Sequence, residues 1–262
     1  MLPSLFLSHG SPMLPLTDVP ARHFLQGLGA RLARPTAIVV ASAHWLTPGP
    51  MVNAVAVNAT IHDFGGFPRA LYEMRYPAPG SPALADRIAA LFGQAGLACE
   101  TDGERGLDHG AWVPLSMIYP AADIPVVQVA LQPHLGPAHH LRIGAALAPL
   151  RAENVLVIGS GSLTHNLREL RRDDAEEPDW VRAFADWVGD AIAQDRLDDL
   201  LAYRTRAPWA ERNHPTDEHF LTLFVARGAA GPTTLGRQIH ASATHAALRM
   251  DAYAFGEPDG IL

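Results

Sequence analysis

The chain has 262 residues, of which 48% are hydrophobic and 18% charged, and its formal charge at pH 7 is −7. This length suits one large domain or two small ones, and the excess of acidic residues disfavours binding to nucleic acid or an anionic membrane. The lone cysteine, Cys99, excludes an internal disulfide and a cysteine-rich metal site. Without a basic leader or an apolar run of membrane-spanning length, the sequence predicts a cytoplasmic protein.

The first half of the chain alternates apolar runs of strand length with apolar residues at helical spacing. Glycine and proline interrupt these segments and mark the loops. In chain order, the pattern predicts a strand at 4–8, a helix at 20–33, a strand at 37–43, an edge strand at 51–57, a loop at 61–68, a helix at 82–96 and a strand at 97–101.

The second half repeats the alternation. It predicts a loop at 106–110, a strand at 124–131, a helix at 137–150, a strand at 154–160, helices at 177–194 and 196–204, a helix from Pro215 to about 226 with Thr216 as a possible N-cap, and a strand at 250–255. Strands that alternate with helices indicate an α/β fold with a mostly parallel or mixed central sheet covered by helices. We expect a single domain over residues 1–262.

Three of the predicted strands end in small polar residues and a histidine. These histidines are His9, His44 and His165, and a fourth, His219, lies in the first turn of the helix that follows Pro215. In open α/β sheets the ligand crevice lies at the carboxyl ends of the strands. Because neutral imidazole is the commonest metal ligand, the pattern predicts a metal site at the strand carboxyl ends.

Several alternatives remain open from the residues alone. A single histidine at a strand end is more often a hydrogen-bonded core residue than a ligand, whereas several in the same position favour a site. Asp217 or Glu218 could replace His219 and complete a set of two histidines and one carboxylate. The Gly159-Ser160-Gly161 segment lacks a P-loop lysine, although its unhindered amides could approach a ligand. We expect surface or supporting positions for the remaining histidines, His23, His134, His139, His140, His240 and His245.

Several segments resemble one known family in combination and in order. They are His9-Gly10-Ser11-Pro12, Ser42-Ala43-His44-Trp45, the 61–68 loop, Tyr76-Pro77-Ala78-Pro79-Gly80, Asp108-His109-Gly110, Thr164-His165-Asn166-Leu167, and His214-Pro215-Thr216 with Glu218-His219-Phe220. The chain is similar to the DOPA-dioxygenase type of the class III extradiol ring-cleavage dioxygenases, within the protocatechuate 4,5-dioxygenase catalytic-subunit superfamily. The likeness extends from residue 5 to beyond residue 220.

The resemblance implies a role for each matching histidine. His9, His44 and His219 match the metal ligands of the family, and the DOPA-dioxygenase branch has histidine at the third position where the protocatechuate branch has glutamate. His165 matches the acid/base histidine, and His109 matches a substrate-side histidine that transfers a second proton or orients the substrate. The implied fold is a mixed α/β domain with the metal in a cleft.

The resemblance also implies a reaction. Non-haem Fe(II) is the expected cofactor, and the expected partners are O2 and a small, DOPA-like aromatic diol. The ring would open next to the diol and give a product of the muconate-semialdehyde type. We expect His62, Asp63 and Trp45 to contribute to the substrate pocket, with Asp63 as a candidate partner for a substrate ammonium.

Two other functional classes are compatible with the residues. Three histidines with an open coordination position also suit catalytic zinc, and Zn(II) is expected to occupy the site in a purified sample because it binds more tightly than Fe(II). The chain could therefore be a zinc-dependent hydrolase. It could also be a non-catalytic metal-binding protein on the same scaffold. The sequence does not indicate an oligomeric state.

Overall fold

The computed structural model describes residues 1–172, 175–232 and 234–256. Its strands are β1 (Ser4–Ser8), β2 (Ala37–Leu46), β3 (Met51–Asn53), β4 (Glu100–Asp102), β5 (Val126–Leu131), β6 (Val155–Gly161), β7 (Gly236–His240), β8 (Ala243–Thr244), β9 (Leu248–Arg249) and β10 (Ala252–Phe255). Its helices are α1 (Pro20–Leu28), α2 (Arg69–Glu73), α3 (Pro82–Gln94), α4 (His109–Ile118), α5 (Gly136–Leu147), α6 (Asp179–Ala193), α7 (Leu197–Leu201), α8 (Tyr203–Arg206), α9 (Ala210–Asn213) and α10 (Glu218–Ala229).

Eight of these strands form one mixed sheet in the order β4-β3-β5-β2-β6-β1-β10-β7. The four central strands β5, β2, β6 and β1 are parallel to one another, whereas β10 is antiparallel to β1 and β3 is antiparallel to β5. The central strands are continuous apolar runs because both faces of the sheet are covered. β6 lies between β1 and β2, so the three histidine-bearing strands are neighbours.

Alternate residues of each central strand belong to different cores. Leu5 and Leu7 of β1 pack with the side of the molecule formed by α1 and α4. Phe6, between them, packs with α6 and α10 on the opposite face. This period of two, with helices on both faces, confirms the predicted α/β fold with a large mixed sheet.

Two glycines of β6 allow α10 to lie directly on the sheet. A Cβ atom at Gly159 would overlap the Thr222 carbonyl, and one at Gly161 would overlap the His219 carbonyl. Any larger residue would hold the amino-terminal end of α10 away from β6. The glycines therefore serve helix packing, which corrects the expectation that they allow a ligand to approach.

Several predicted elements differ from the structure. The predicted edge strand at 51–57 is limited to Met51–Asn53 and is covered by β4 on its outer side. α4 was missed because its interior contains Pro114, which normally disfavours a helix. α10 begins at Glu218 with Asp217 rather than Thr216 at its N-cap position.

Other differences concern short elements. The predicted helix at 196–204 is divided into α7 and α8, and α2, α9 and β7 were not predicted. Elements of three to five residues carry too little periodicity to be recognised in a sequence. None of the helices in the described part of the chain combines the length and apolar character needed to cross a membrane.

Candidate metal centre and active site

Four histidine rings, three of them buried and that of His44 partly buried, meet at the carboxyl edge of the central strands. His9 follows β1, His44 lies near the end of β2, His109 is the first residue of α4, and His219 lies in the first turn of α10. The Nε2 atom of His44 lies 3.0 Å from Nε2 of His9 and 3.3 Å from Nε2 of His219. The sheet order and the close packing of α10 on β6 therefore bring together three histidines that are far apart in the sequence.

Hydrogen bonds to Nδ1 determine which nitrogen of His9 is free. The Ser160 hydroxyl donates its single proton to the Gly110 carbonyl, so its oxygen can only accept from Nδ1 of His9, at 3.1 Å. The Nε2 atom of a neutral His9 ring consequently carries a lone pair that points towards His44.

The same argument applies to His219. Its Nδ1 atom lies 3.2 Å from Oε1 of Glu218, and an ionised carboxylate can only accept. Nδ1 of His219 therefore carries the ring proton, and Nε2 carries a lone pair. Nε2 of His44 carries at most one proton and can donate it to only one of its two neighbours, so at least one of the lone pairs on His9 and His219 receives no hydrogen bond from His44.

The spacing of the three Nε2 atoms fits a bound metal ion. Two nitrogens that bind one ion at about 2.0–2.1 Å lie about 2.9–3.4 Å apart for bond angles near 90–110°. The distances of 3.0 and 3.3 Å fall within this range. The donor set, the free lone pairs and the distances thus agree with a metal site.

The carboxylate alternatives to His219 are occupied elsewhere. Asp217 accepts a hydrogen bond from Tyr203 at 2.8 Å and forms an ion pair with Arg204 at 2.5 Å. Glu218 accepts from the Thr216 hydroxyl and contacts His219 Nδ1. His165, Glu218 and His219 form one group with metal-ligand spacing, and His9, His44 and His109 form another. Since Glu218 is oriented to Nδ1 of His219, we favour the imidazole set.

Burial keeps these rings neutral. Removal from water, with added repulsion from neighbouring histidines, lowers the pKa of His9 and His219 well below the usual value. Burial likewise lowers the pKa of His44 to about 4. A histidine must be deprotonated at the coordinating nitrogen before it can bind a metal, so a low pKa keeps these rings available at neutral pH.

Asp63 connects two of the rings. Its Oδ1 atom accepts from the backbone amide of His109 at 2.9 Å and lies 2.9 Å from Nδ1 of the same residue, while Oδ2 lies 3.7 Å from Nδ1 of His44. Burial acts to raise the pKa of this carboxyl, but the contacts with His109 prevail and lower it to about 2. Asp63 is therefore anionic; it orients His109 through close contacts and lies near His44 without a hydrogen bond to it.

A second carboxylate fixes β2 relative to α4. The fully buried Asp108 accepts from the Ser42 hydroxyl at 2.6 Å, and its other oxygen accepts from Gln128 and, at 3.0 Å, from Arg105. It also caps α4 through the amide of Ala111. Because a buried carboxylate requires such partners, the network holds His44 and His109 in one arrangement.

His165 adjoins the cluster from the loop that follows β6. Its ring stacks on His219 with the centroids 3.4 Å apart and the planes inclined by 10°. Burial lowers the pKa of His165 to about 4. Its ring nitrogens have no hydrogen-bond partner among the described residues, so they are available to a ligand in the adjoining cavity.

The five histidines line a cavity of about 420 Å³, within the size range of small-molecule sites. The other lining residues are Gly10, Ser11, Pro12, Phe64, Phe67, Leu167, Leu170, His245 and Leu248. The 61–68 loop contributes to the cavity through Phe64 and Phe67. His245, expected at a surface or supporting position, is part of the cavity wall instead.

The predicted pocket residues lie beside this wall. His62 contacts the Met74 carbonyl at 3.2 Å, and Trp45 is buried under the Arg105 guanidinium at 4.8 Å. Neither residue, nor Asp63, belongs to the residues that line the cavity, and their part in substrate binding stays a prediction. Leu167, Leu170 and Leu248 were missed because nothing in an isolated leucine shows where a loop will lie.

The chain is similar to known aromatic ring-opening dioxygenases. Residues 3–255 match the family described as the catalytic LigB subunit of aromatic ring-opening dioxygenase. The chain is 44% identical to the 4,5-DOPA dioxygenase extradiol of Beta vulgaris, over 95% of each chain. It is 41% identical to the protein of the same name from Escherichia coli K12, over 87% of this chain and 85% of the other.

A solved structure has the same fold. The crystal structure of an uncharacterized protein from Escherichia coli K12 superposes with a TM-score of 0.81 and 33% sequence identity. The match covers 98% of this chain and 100% of the other. The similarity therefore extends over nearly the whole chain.

Proposed function

Because the chain belongs to the family of the catalytic LigB subunit of aromatic ring-opening dioxygenases and is an extradiol ring-cleavage dioxygenase, we propose that it cleaves a catechol with Fe(II) and O2. The proposed product is of the muconate-semialdehyde type. The observation that carries the proposal is the convergence of three histidine Nε2 atoms at the wall of a cavity large enough for a substituted catechol.

In this proposal His9, His44 and His219 hold the metal through Nε2. Fe(II), when bound, supplies the redox connection between a catechol and O2 that amino-acid side chains cannot provide. Ser160 and Glu218 hold the protons on Nδ1 of His9 and His219, so that the coordinating nitrogens stay free. Zn(II) is expected to fill the same site in a purified sample and would not support the reaction.

The remaining histidines handle substrate protons. A ring nitrogen of His165 accepts a proton from a catechol hydroxyl and later returns one to the product. His109, oriented by Asp63, positions the substrate or transfers a second proton from its place beside His9 and His44. Phe64, Phe67 and Leu248 exclude water from the reacting ring. Family membership argues against the zinc hydrolase and the non-catalytic protein.

The test is anaerobic reconstitution of the metal-free protein with Fe(II), followed by oxygen and a panel of catechols that includes DOPA. We expect one O2 consumed per catechol and a yellow ring-opened product. Turnover of esters or amides without oxygen consumption, or catechols that bind and stay intact with iron loaded, would exclude the proposal.

The His165→Gln variant tests the proton-transfer role separately. We expect kcat to fall by about 10²–10⁴-fold while iron content is unchanged, because general acid–base groups contribute on that scale and His165 is not a proposed ligand. Glutamine keeps hydrogen-bonding groups at the cavity wall but cannot accept a proton. Unchanged kcat would remove His165 from the mechanism and leave the metal assignment intact.

A further inference from the structure

The ring of His165 is held in place without a polar contact of its own among the residues that the structure describes. It stacks on the His219 ring with the centroids 3.4 Å apart, and neither ring nitrogen forms a hydrogen bond within the described chain. A group that transfers a proton must lie within hydrogen-bond reach of the substrate atom concerned. The position of this ring therefore depends on the loop that carries it, residues 162–166.

Thr164, the residue before His165, anchors this loop and is fully buried. Its hydroxyl donates a hydrogen bond to the Ala247 carbonyl at 2.8 Å and accepts one from the Arg249 amide at 2.8 Å. A hydroxyl has a single proton, so donation to Ala247 leaves the oxygen free to accept from Arg249. The side chain thus bridges the backbone groups on either side of Leu248, which lines the cavity.

The segment to which Thr164 bonds is itself firmly held. The Arg249 guanidinium contacts both carboxylate oxygens of Asp251 at 2.7 Å and Glu177 at 3.0 Å. Asp251 is fully buried, and Ala247 is fully buried against α6. Because a bidentate ion pair fixes both groups in one geometry, this segment gives the Thr164 hydroxyl a rigid support.

Other hydrogen bonds hold the opposite side of the loop. The His165 amide donates to the Asn213 carbonyl at 2.9 Å, and the Leu163 carbonyl accepts from Nε2 of His214 at 2.8 Å. These bonds join the loop to the segment that precedes α10, whereas the Thr164 hydroxyl joins it to β9 and the turn before it. The loop is thus held from two sides, and loss of the hydroxyl would release one of them.

We propose that Thr164 is a positioning residue of the active site, whose buried hydroxyl holds the His165 ring where it can exchange a proton with the substrate. Thr164 does not line the cavity, so it acts through the loop and not on a ligand. The inference rests on the proposed function, because it takes His165 to be the group that accepts the catechol proton.

The first experiment observes the ring without turnover. In the Zn(II)-loaded protein, the stacked His219 ring should shift the NMR signals of the His165 ring protons upfield, and comparison with His165→Gln assigns these signals. Thr164→Val keeps the branched shape but leaves the Ala247 carbonyl and the Arg249 amide without their partner. We expect the variant to lose the upfield shift or to give more than one His165 signal. A signal at its wild-type position would overturn the inference.

The second experiment measures turnover per bound iron in the Fe(II)-loaded enzyme. We expect Thr164→Val to lower kcat by about 10–100-fold and to leave KM for the catechol within about threefold of wild type, because displacement of a reacting group by about 1 Å has effects on this scale. Thr164→Ser retains the hydroxyl and should restore kcat. Wild-type kcat in Thr164→Val would overturn the inference. Thr164→Ala, which leaves room for a bridging water, replaces the valine variant if that variant does not fold, and we expect a smaller loss in the same direction.

Ser4→Ala is the matched control for the loss of a buried hydrogen bond. Ser4 is fully buried, its hydroxyl donates to the Ala226 carbonyl at 2.7 Å, and it begins β1 at the end opposite the histidine cluster. We expect this variant to lower the unfolding free energy without changing kcat per bound iron or the His165 signal. Equal losses of kcat in Ser4→Ala and Thr164→Val would reduce Thr164 to a structural role and overturn the inference.

A double-mutant cycle with His165→Gln tests whether Thr164 acts through this ring. If it does, Thr164→Val has little further effect on kcat once His165 is replaced, whereas a general disturbance of the site lowers kcat by the same factor in both backgrounds. An undiminished effect in the His165→Gln background would overturn the inference. An unchanged kcat in His165→Gln alone would instead refute proton transfer in the proposed function, and the NMR signal would still decide whether Thr164 holds the ring.

Discussion

Two regions of the molecule bury histidine equally well but use it differently. His140, in α5, is fully buried, and its Nε2 accepts from the Gln132 amide at 3.1 Å while Nδ1 donates to the Gly136 carbonyl at 2.7 Å. His9 is 2% exposed, yet its Nδ1 is held by Ser160 and its Nε2 faces another imidazole. Both nitrogens of His140 are satisfied by the backbone, whereas one nitrogen of His9 requires a partner the chain does not supply.

The contrast shows that burial alone does not identify a ligand. Desolvation also lowers the pKa of His140 to about 4, as it does for His44. The difference lies in the second ring nitrogen, and therefore in the side chains that fix the tautomer. A structural histidine forms hydrogen bonds within the fold through both ring nitrogens. A ligand histidine keeps the lone pair of one ring nitrogen available to a metal ion.

The largest expected effect is on metal affinity, and it distinguishes the histidine cluster from His140 in α5. His44→Ala removes the imidazole that faces both His9 and His219, so we expect Fe(II) affinity to fall by more than about 100-fold, beyond the loss typical of supporting residues. His140→Gln keeps a donor and an acceptor in α5 and should retain a full equivalent of metal. Metal analysis after anaerobic reconstitution checks both. Equal metal loss in the two variants would contradict the distinction.

The stability of the metal-free protein should depend on pH through His140. Its folded pKa, lowered by burial to about 4, lies below the ordinary value of 6.5, so the unfolded chain binds more protons between these values. Stability is therefore retained above about pH 6.5 and lost as the pH falls towards 4, by up to about 3 kcal/mol from this group.

His140→Gln should remove this part of the pH dependence. Urea unfolding of the metal-free wild type and the variant at pH 7 and pH 4.5 provides the measurement, and the difference between the two proteins isolates His140 from the other histidines. His23→Gln is the control, since His23 is an exposed residue paired with Asp18. A control that flattens the profile as much as His140→Gln would refute the assignment.

Gly161→Ala tests whether the ligand cluster depends on the packing of α10. The added methyl would overlap the His219 carbonyl, so we expect a loss of about 1–3 kcal/mol in unfolding free energy together with weaker metal binding. Gly27→Ala in α1 has open space around the new methyl and should be neutral or slightly stabilising. Denaturant unfolding and metal titration give the unfolding free energy and the metal affinity of both variants. Normal metal affinity in Gly161→Ala would disprove the dependence.

Ser160→Ala addresses the tautomer of His9. It removes the acceptor for Nδ1 and the donor to the Gly110 carbonyl, and we expect metal affinity to fall by about 10–100-fold. Ser116→Ala is the matched control, because its hydroxyl bonds only to the Val113 carbonyl within α4. Competition with a chelator of known affinity gives the result. Wild-type affinity in Ser160→Ala would show that Ser160 does not control the ring.

Much of the scaffold could be predicted from local pattern. The central strands are apolar runs bounded by turn residues, and the predicted strands at 4–8, 37–43, 124–131 and 154–160 agree closely with β1, β2, β5 and β6. Long helices such as α3 and α6 were recognised from their apolar spacing. α4 was missed because its sequence favours a buried element with little amphipathic contrast and contains Pro114.

The site could be predicted only in part. Small polar residues and a histidine after buried strands indicated where a ligand site would form, and the family resemblance gave the roles of the matching residues. The supporting contacts were not visible, because the Ser160–Gly110 and Asp108–Gln128 hydrogen bonds join segments 50 and 20 residues apart. The sequence separated His9 from His140 by position, since His9 directly follows a predicted strand and His140 lies within a predicted helix, but it did not show that His140 is buried with both ring nitrogens hydrogen-bonded.

By itself the sequence determined the α/β class, the buried central strands and the histidines that end them, because apolar periodicity and breaker residues act over a few neighbouring positions. Only the tertiary structure decided that β6 lies between β1 and β2, that two glycines allow α10 to pack on the sheet, and that three histidine Nε2 atoms converge. It also decided the apolar cavity wall. Those features depend on strand order and on contacts between distant segments, which no local pattern specifies.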